Sequence, residues 1–167
     1  QLPTVFEAMQ AAQVERALCI CTTLEEFERV HALAMAHDFI WASAGVHPDT
    51  EDMAEPRVAD LLDMAARPRV VAIGETGLDY YQMETRKGGR SIADLGWQRE
   101  RFAVHIEAAR TAGLPLVIHE REASADTLAM LKSEGRGGAG AEATGVFHCF
   151  ADTREVARAA LDLGYCI

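Results

Sequence analysis

Lysine is scarce in this 167-residue sequence, which contains only Lys87 and Lys132, and acidic residues outnumber basic ones by 26 to 16. The formal net charge of -10 argues against a domain that grips nucleic acid through basic patches alone, because such domains carry an excess of Lys and Arg. An acidic protein that handles phosphate groups needs metal ions to neutralise its site. No run of about eighteen apolar residues occurs, so the sequence predicts no membrane-spanning helix.

Cysteine is also uncommon, and the four that occur lie within or beside apolar runs: Cys19, Cys21, Cys149 and Cys166. Disulfide frameworks are typical of small secreted domains, whereas thiols in apolar runs are typical of small buried side chains. We therefore expect reduced, packed cysteines in a cytoplasmic protein. The sequence begins Gln1-Leu2-Pro3 without a basic segment leading into an apolar one, so no signal peptide is predicted.

Short apolar runs alternate with amphipathic stretches along the chain. Strands are predicted at residues 16–21, 40–46, 69–73, 114–118, 145–147 and 164–167, and helices at 4–12, 23–37, 56–66, 94–112, 124–133 and 153–163. Residues 135–145, which are rich in Gly, are predicted to form a surface loop. Such alternation predicts right-handed crossovers and a parallel sheet covered on both faces. A doubly wound sheet and a barrel both fit, although no G-x-G-x-x-G motif opens a helix.

Polar side chains stand where four of the predicted strands end: His47, Glu75, His119 and His148. Functional residues at the carboxyl ends of successive strands are typical of the (β/α)₈ barrel. Imidazoles and a carboxylate from separate strands suit a divalent metal ion. A carboxylate at the end of a buried strand is costly unless it is paired or bound to a metal, which makes Glu75 the most informative residue of the set.

Other polar residues have two readings. Asp79 either caps a turn or belongs to the site, and Arg121 is either a surface arginine or points to the site beside His119. The basic segment 86–90 is interpreted as a solvated loop, with phosphate contact as the alternative. Three further histidines lie within predicted helices and are expected to be surface or packing residues: His31, His37 and His105.

Five segments, taken together, resemble successive signature segments of the TatD-type metal-dependent deoxyribonucleases. They are GVHP, IGETGLDYY, WQRERF, LPLVIHERE and FHCF, and they occur in the family's order along essentially the whole sequence. The resemblance implies a (β/α)₈ TIM-type barrel of the metallo-dependent hydrolase kind, incomplete here, with residues 1–167 as one partial domain. It implies hydrolysis of phosphodiester bonds in DNA, often from the 3′ end of single strands, by an enzyme that binds two divalent ions (Mg, Mn or Zn). We expect a monomer.

The resemblance also implies roles for individual residues. Glu75 matches the carboxylate shared by both ions, and His119 and His148 match ligands of the second ion. His47 and Asp79 match motif positions beside the site, and Arg121 matches a position near the scissile phosphate. These roles are implied by the family pattern alone.

Two family features do not occur in the sequence: the His-x-His of the first strand and a later Glu-Thr-Asp segment. We therefore expect an open barrel with exposed edges, weak metal binding and little activity from the 167-residue chain by itself. One alternative is another hydrolase of the same barrel class, acting on amides, lactones or phosphoesters. Many of these bridge their metals with a carboxylated lysine, and neither lysine here ends a strand. A non-catalytic module is the remaining alternative, should this chain be the whole product.

Overall fold

The computed structural model describes residues 2–135 and 142–167. The sheet contains five strands: β1 (Ala17–Cys19), β2 (Ile40–Ala44), β3 (Val70–Asp79), β4 (Leu116–Arg121) and β5 (Gly145–Phe147). The helices are α1 (Leu2–Ala11), α2 (Phe27–Ala36), α3 (Val58–Ala65), α4 (Gly96–Ala112), α5 (Ser124–Glu134) and α6 (Arg154–Asp162). A single 3-10 turn, Ile92–Leu95, leads into α4.

All five strands are parallel, and each pairs with its neighbour in chain order. One helix connects each strand to the next, so the sheet curls as half of an α/β barrel. Chain order without a reversal excludes the doubly wound alternative. Beyond β5, Cys166 forms one parallel bridge with Val146. Over the described residues the sheet does not close, which confirms the prediction of an incomplete barrel.

The helices cover one face of the sheet and build the core with it. The largest buried side chains include Phe27 of α2, Leu61 of α3, Phe102 of α4 and Leu131 of α5. The other face carries a shallow apolar cavity of about 350 Å³, lined by side chains that come from four different strands: Leu18, Val71, Val117 and Val146. Among the described residues, none that lines this cavity belongs to a helix.

Two strands run further than predicted. The strand predicted at 69–73 continues to Asp79, and the one predicted at 114–118 continues to Arg121, so Glu75 and His119 lie within strands. The extension is possible because the two strands pair closely: Gly77 lies opposite His119 with a φ of 133°, and a Cβ on Gly77 would collide with the His119 carbonyl oxygen. A Cβ on Gly74 would lie 2.6 Å from the Val117 carbonyl oxygen. The glycines therefore permit strand contact instead of ending the strand.

Helix α2 begins later than the capping pattern at residue 23 predicts. Thr23 Oγ1 accepts a hydrogen bond from the Glu26 backbone N–H at 3.2 Å, and the Glu26 carboxylate accepts one from the Thr22 N–H at 2.8 Å. These contacts resemble a capping box but are offset by one residue, because the Glu26 carboxylate bonds the Thr22 N–H and not the Thr23 N–H. They close a turn over residues 24–26, and the regular helix starts only at Phe27. Helix α4 ends at Ala112, directly before Gly113, as predicted.

All four cysteines are free, as expected. Cys21 is buried and Cys19 is half-buried, but Cys149 and Cys166 are exposed, so the expected packing is wrong for these two. Cys149 lies in the turn after β5, and Cys166 lies at the open side of β5. Most of the predicted loop at 135–145 falls outside the described residues. Among the helices that are described, none has both the length and the apolar character needed to cross a membrane.

Candidate metal centre

The Glu75 carboxylate is the point on which three imidazoles converge. His148 Nε2 lies 2.5 Å from Glu75 Oε1, His119 Nδ1 lies 3.2 Å from it, and His47 Nε2 lies 3.5 Å from it. Glu75 belongs to β3 and His119 to β4, while His47 follows β2 and His148 follows β5 directly. The structure thus brings the four strand-end residues together at the carboxyl edge of the sheet.

Asp79 orients the central imidazole. Its Oδ2 accepts a hydrogen bond from His119 Nε2 at 3.1 Å, while its Oδ1 accepts one from the Tyr81 backbone N–H at 2.9 Å. The Asp79 side chain is buried. With Nε2 of His119 donating to a carboxylate, Nδ1 is the nitrogen directed at Glu75. A carboxylate behind an imidazole in this manner is the usual support of a metal-bound histidine.

The ionised carboxylates of the cluster and the protonated imidazole of His119 stabilise one another. Burial alone would raise the pKa of Glu75, but hydrogen bonds from His119 and His148 outweigh it and hold that pKa well below its usual range. Burial likewise opposes the ionised form of Asp79, but the bonds from His119 and Tyr81 lower its pKa to about 2. Against the effect of burial, bonds to Asp79 and Glu75 raise the pKa of His119 to about 9. Without a metal ion, His119 is therefore protonated on Nδ1, the nitrogen that a cation would bind.

His47 differs from His119 in the ring nitrogen that it turns toward Glu75, which is Nε2 in His47 and Nδ1 in His119. The Asp49 backbone N–H donates to His47 Nδ1 at 3.0 Å, so in the neutral ring the hydrogen is on Nε2. That Nε2–H faces Glu75 and lies 3.2 Å from His119 Nδ1. Burial and the positive charge of His119 lower the pKa of His47, which keeps the ring neutral.

The ligand set follows from this tautomer. One atom each of His47, Glu75 and His119 lie within 4.8 Å of one another, which is close enough to surround an ion. The Asp49 N–H occupies Nδ1 of His47, however, so the hydrogen of the neutral ring stays on Nε2, which then has no lone pair for an ion, and His47 acts as a hydrogen-bond donor. Glu75, His119 and His148 remain as the residues with the right chemistry to hold a divalent cation, which is a mixed N/O set that suits Zn²⁺ or Mn²⁺.

Arg121 lies at the mouth of the site and not within the cluster. The side chain is exposed, and its guanidinium carbon stacks 3.4 Å from the centroid of the Tyr81 ring. Both residues line a cavity of about 460 Å³ that also contains Asp152 and Thr153. The cavity is open to solvent, and residues 151–153 of its lining follow His148 within five positions of the chain.

Lys87 is the residue that sequence reasoning missed. Its segment is predicted to be solvated, yet the Lys87 side chain is only 2% exposed and forms ion pairs with Asp49 and, at 3.7 Å, with Asp79. The prediction holds better for its neighbours, because Arg86 and Arg90 are exposed and pair with Asp49 and Glu51. The acidic residues at 49–52 were the sequence signal for these ion pairs, since their charge complements that of the basic segment 86–90.

His31, His37 and His105 lie outside the cluster, as expected. His31 is buried, stacks on Phe27 and bonds the Pro68 carbonyl oxygen at 2.9 Å. His37 packs between Phe6 and Phe39. His31 and His37 are thus packing residues, whereas His105 is buried in α4 and also bonds the Val46 backbone N–H at 3.0 Å.

A parallel half-barrel that gathers imidazoles and a carboxylate at its carboxyl edge has the architecture of metal-dependent hydrolases of the barrel class. The comparison with protein families identifies which one. A model described as TatD related DNase matches residues 1–167, and the chain belongs to that family.

Curated relatives agree with this assignment. The chain is 35% identical to the uncharacterized metal-dependent hydrolase YabD of Bacillus subtilis, over 98% of the chain and 60% of the relative. It is 39% identical to YcfH of Escherichia coli K12, which has the same description, over 98% of the chain and 57% of the relative. It is 34% identical to the 3′-5′ ssDNA/RNA exonuclease TatD of Edwardsiella piscicida, over 98% and 59%. The chain therefore spans under two thirds of the length of these relatives.

Solved structures show the same fold. The TatD homologue YjjV of Escherichia coli K12 superimposes with a TM-score of 0.76 at 25% identity, over 91% of this chain and 55% of that one. An uncharacterized amidohydrolase of Saccharomyces cerevisiae, at 17% identity, superimposes with a TM-score of 0.65 over 89% and 54%. The second likeness concerns the fold alone.

Proposed function

We propose that this chain supplies part of the active site of a divalent-metal-dependent hydrolase that cleaves phosphodiester bonds in single-stranded nucleic acid from the 3′ end. The observation that carries the proposal is the Glu75 carboxylate, approached by three imidazoles of which one is held by Asp79. The names of relatives support the substrate, because several are called 3′-5′ ssDNA/RNA exonucleases. The net charge of -10 makes metal ions necessary for an anionic polymer to approach.

Glu75, His119 and His148 are the residues that would hold the metal. Their ligand atoms come from three adjacent strands, so the sheet fixes their spacing before any ion binds. Asp79 keeps His119 Nδ1 directed inward by accepting the hydrogen of Nε2. When bound, divalent ions supply an activated water and neutralise charge on the phosphate. Two ions with Glu75 shared between them remain the family-based proposal for the intact site.

His47 and Arg121 would act on the substrate. The Nε2–H of His47 points into the cluster and can donate to a phosphate oxygen. Arg121, two residues beyond His119 on β4, carries a guanidinium whose stacking on Tyr81 leaves its N–H groups free to bond a phosphate at the mouth. Burial of the cluster excludes bulk water from Glu75 and strengthens each of these contacts.

The same proposal includes the domain organisation, the oligomeric state and the cellular compartment. We infer one partial barrel domain over residues 1–167, acting as a monomer in the cytoplasm. Free cysteines are compatible with a reducing compartment.

The test is hydrolysis of a 3′-labelled single-stranded DNA, and of its RNA counterpart, with Mg²⁺, Mn²⁺ or Zn²⁺. The 167-residue chain is assayed beside the longer protein if the gene extends past either end. Cleavage should require the ion, stop with EDTA and be lost in Glu75→Gln. Metal-dependent cleavage of amide, lactone or simple phosphoester substrates, with oligonucleotides left intact, would contradict the nuclease assignment in favour of another hydrolase of this barrel class.

A further inference from the structure

Helix α4 buries polar side chains where apolar ones would be expected. Gln98, Arg101 and His105 are all buried, and their spacing of three and four residues puts them on one face of the helix. Each of them bonds the backbone of a segment that carries a site residue. Gln98 Oε1 accepts the Asp79 backbone N–H at 3.0 Å, which secures the end of β3.

Arg101 holds the segment that contains His47. Its Nη1 donates to the carbonyl oxygens of His47 at 2.7 Å and Thr50 at 2.8 Å. The same guanidinium bonds both carboxylate oxygens of Glu55, at 2.8 and 2.5 Å, and lies over the Trp97 ring. The Arg101 side chain is only 2% exposed. Burying a cation is costly unless it is paired, and here the two-point ion pair with Glu55 and the two bonds to carbonyl oxygens offset that cost.

His105 holds the same segment from its other side. Its Nε2 accepts the Val46 backbone N–H at 3.0 Å, and its Nδ1–H donates to the Arg101 carbonyl oxygen at 2.8 Å. The backbone is thus bonded by α4 immediately before and after His47. The Thr50 N–H closes the turn on the His47 carbonyl oxygen at 3.2 Å.

We propose that Arg101 is a positioning residue, which fixes the turn over residues 47–50 so that His47 is held as an Nε2–H donor facing Glu75. The link is the Asp49 N–H, which reaches His47 Nδ1 only while the turn is closed. Without the guanidinium, the carbonyl oxygens of His47 and Thr50 lose their shared donor and the turn opens. The Nδ1–H tautomer of His47 then becomes accessible. That Arg101 positions a residue of the active site rests on the proposed function, whereas the predicted Nε2–H tautomer of His47 does not.

The experiment is ¹⁵N NMR of the imidazole nitrogens in the metal-free 167-residue chain, near neutral pH with EDTA present. His47→Gln assigns the His47 signals by their loss. The wild type should show a single Nε2–H pattern for His47. Arg101→Met should show both tautomers, and Arg101→Lys, which retains a cation but cannot span both carbonyl oxygens and Glu55, should give an intermediate result. Arg110→Met is the matched control, since Arg110 is on the same helix and bonds only the Glu134 carbonyl oxygen among described partners.

Retention of the single Nε2–H pattern in a folded Arg101→Met chain overturns the proposal. If circular dichroism shows that Arg101→Met does not fold, the Arg101→Lys spectrum decides in the same way. Failure of the longer protein to cleave nucleic acid, together with the predicted tautomer change in this chain, would overturn the proposed function alone. Cleavage activity with an unchanged tautomer in the Arg101 variants would overturn only the positioning role.

Discussion

At the scale of single residues, the site depends on which nitrogen of each imidazole faces Glu75. His119 turns its Nε2–H to Asp79 and its Nδ1 to Glu75, whereas His47 accepts the Asp49 N–H on Nδ1 and keeps its hydrogen on Nε2. Two histidines that look equivalent in the sequence therefore have different chemistry. The difference comes from one backbone N–H and one carboxylate, and neither is visible in the sequence around the histidines.

Asp79→Asn should weaken metal binding although Asp79 is not a proposed ligand. The amide is a weaker acceptor for His119 Nε2–H and no longer raises the basicity of the ring, so affinity for Zn²⁺ or Mn²⁺ should fall roughly 10- to 100-fold. Isothermal titration calorimetry measures the change. Asp126→Asn, which alters only the bond to the Tyr80 hydroxyl and its pairing with Arg99, is the control. Equal affinity in Asp79→Asn and the wild type would contradict the orienting role.

His105 should make the chain sensitive to acid. Burial lowers the pKa of His105 to about 4, and the positive charge of Arg101 acts in the same direction, whereas the bond to the Arg101 carbonyl oxygen opposes them. The neutral ring accepts the Val46 N–H and donates to that carbonyl oxygen. Between the unfolded value of about 6.5 and the folded value, the unfolded chain binds a proton that the folded chain does not. The free energy of unfolding should therefore fall by roughly 3 kcal/mol as the pH falls through this window.

Urea unfolding at a series of pH values tests this dependence. His105→Gln should be less stable than the wild type at neutral pH but should lose less stability on acidification. His37→Gln serves as the control for a histidine that only packs at the surface. A wild-type pH profile that is unchanged by His105→Gln would show that another group causes the acid sensitivity.

At the scale of elements, the site is made where β3 and β4 approach each other. Gly77 allows this approach, since its φ of 133° and its contact with the His119 carbonyl oxygen leave no room for a Cβ. Both Glu75 and His119 stand on these two strands. The close backbone contact between β3 and β4 therefore brings Glu75 and His119 together.

Gly77→Ala should destabilise the chain by several kcal/mol, because it adds both strain at positive φ and a collision with backbone. Gly88→Ala is a matched control: Gly88 also has a positive φ, 66°, but its Cβ would meet no atom within 4 Å. That variant should lose only about 1 kcal/mol. Chemical denaturation of both compares them directly, and similar losses would mean that the close contact between β3 and β4 is not important.

The sequence predicted the order and type of the elements well but not where the central strands end. The apolar runs and caps were sufficient for α4, α6 and β5, whose limits agree within about two residues. The strand predicted at 69–73 stops just before Gly74, because glycine in a strand ordinarily weakens it. Only the partner strand reveals that Gly74 and Gly77 allow pairing. Likewise, the ion pair of Lys87 with Asp49 and the bonds of Arg101 with the 47–50 turn connect residues 38, 54 and 51 positions apart, which local patterns do not encode.

At the scale of the whole molecule, the described part of the chain is half of a barrel with its inner face open. The apolar cavity on that face is lined by residues from several strands, and Leu18 and Val71 are 37% and 38% exposed. Exposed apolar surface of this kind binds hydrophobic dyes. The isolated 167-residue chain should therefore enhance the fluorescence of anilinonaphthalene sulfonate while retaining native near-ultraviolet circular dichroism. Val71→Asn should reduce the enhancement, whereas Met35→Gln, on an exposed helical position, should not.

Because β1 is short, we do not expect the open sheet to form fibrils in concentrated solution. β1 is an edge strand of three residues, Ala17–Cys19, so its outer side presents few free backbone groups. Fibrils grow when a long, flat edge recruits identical strands one after another, and a short edge cannot sustain such recruitment. Association of this chain, where it occurs, should consequently be through apolar side chains and yield amorphous material. Concentrated samples should scatter light without the thioflavin T signal that a growing cross-β stack produces.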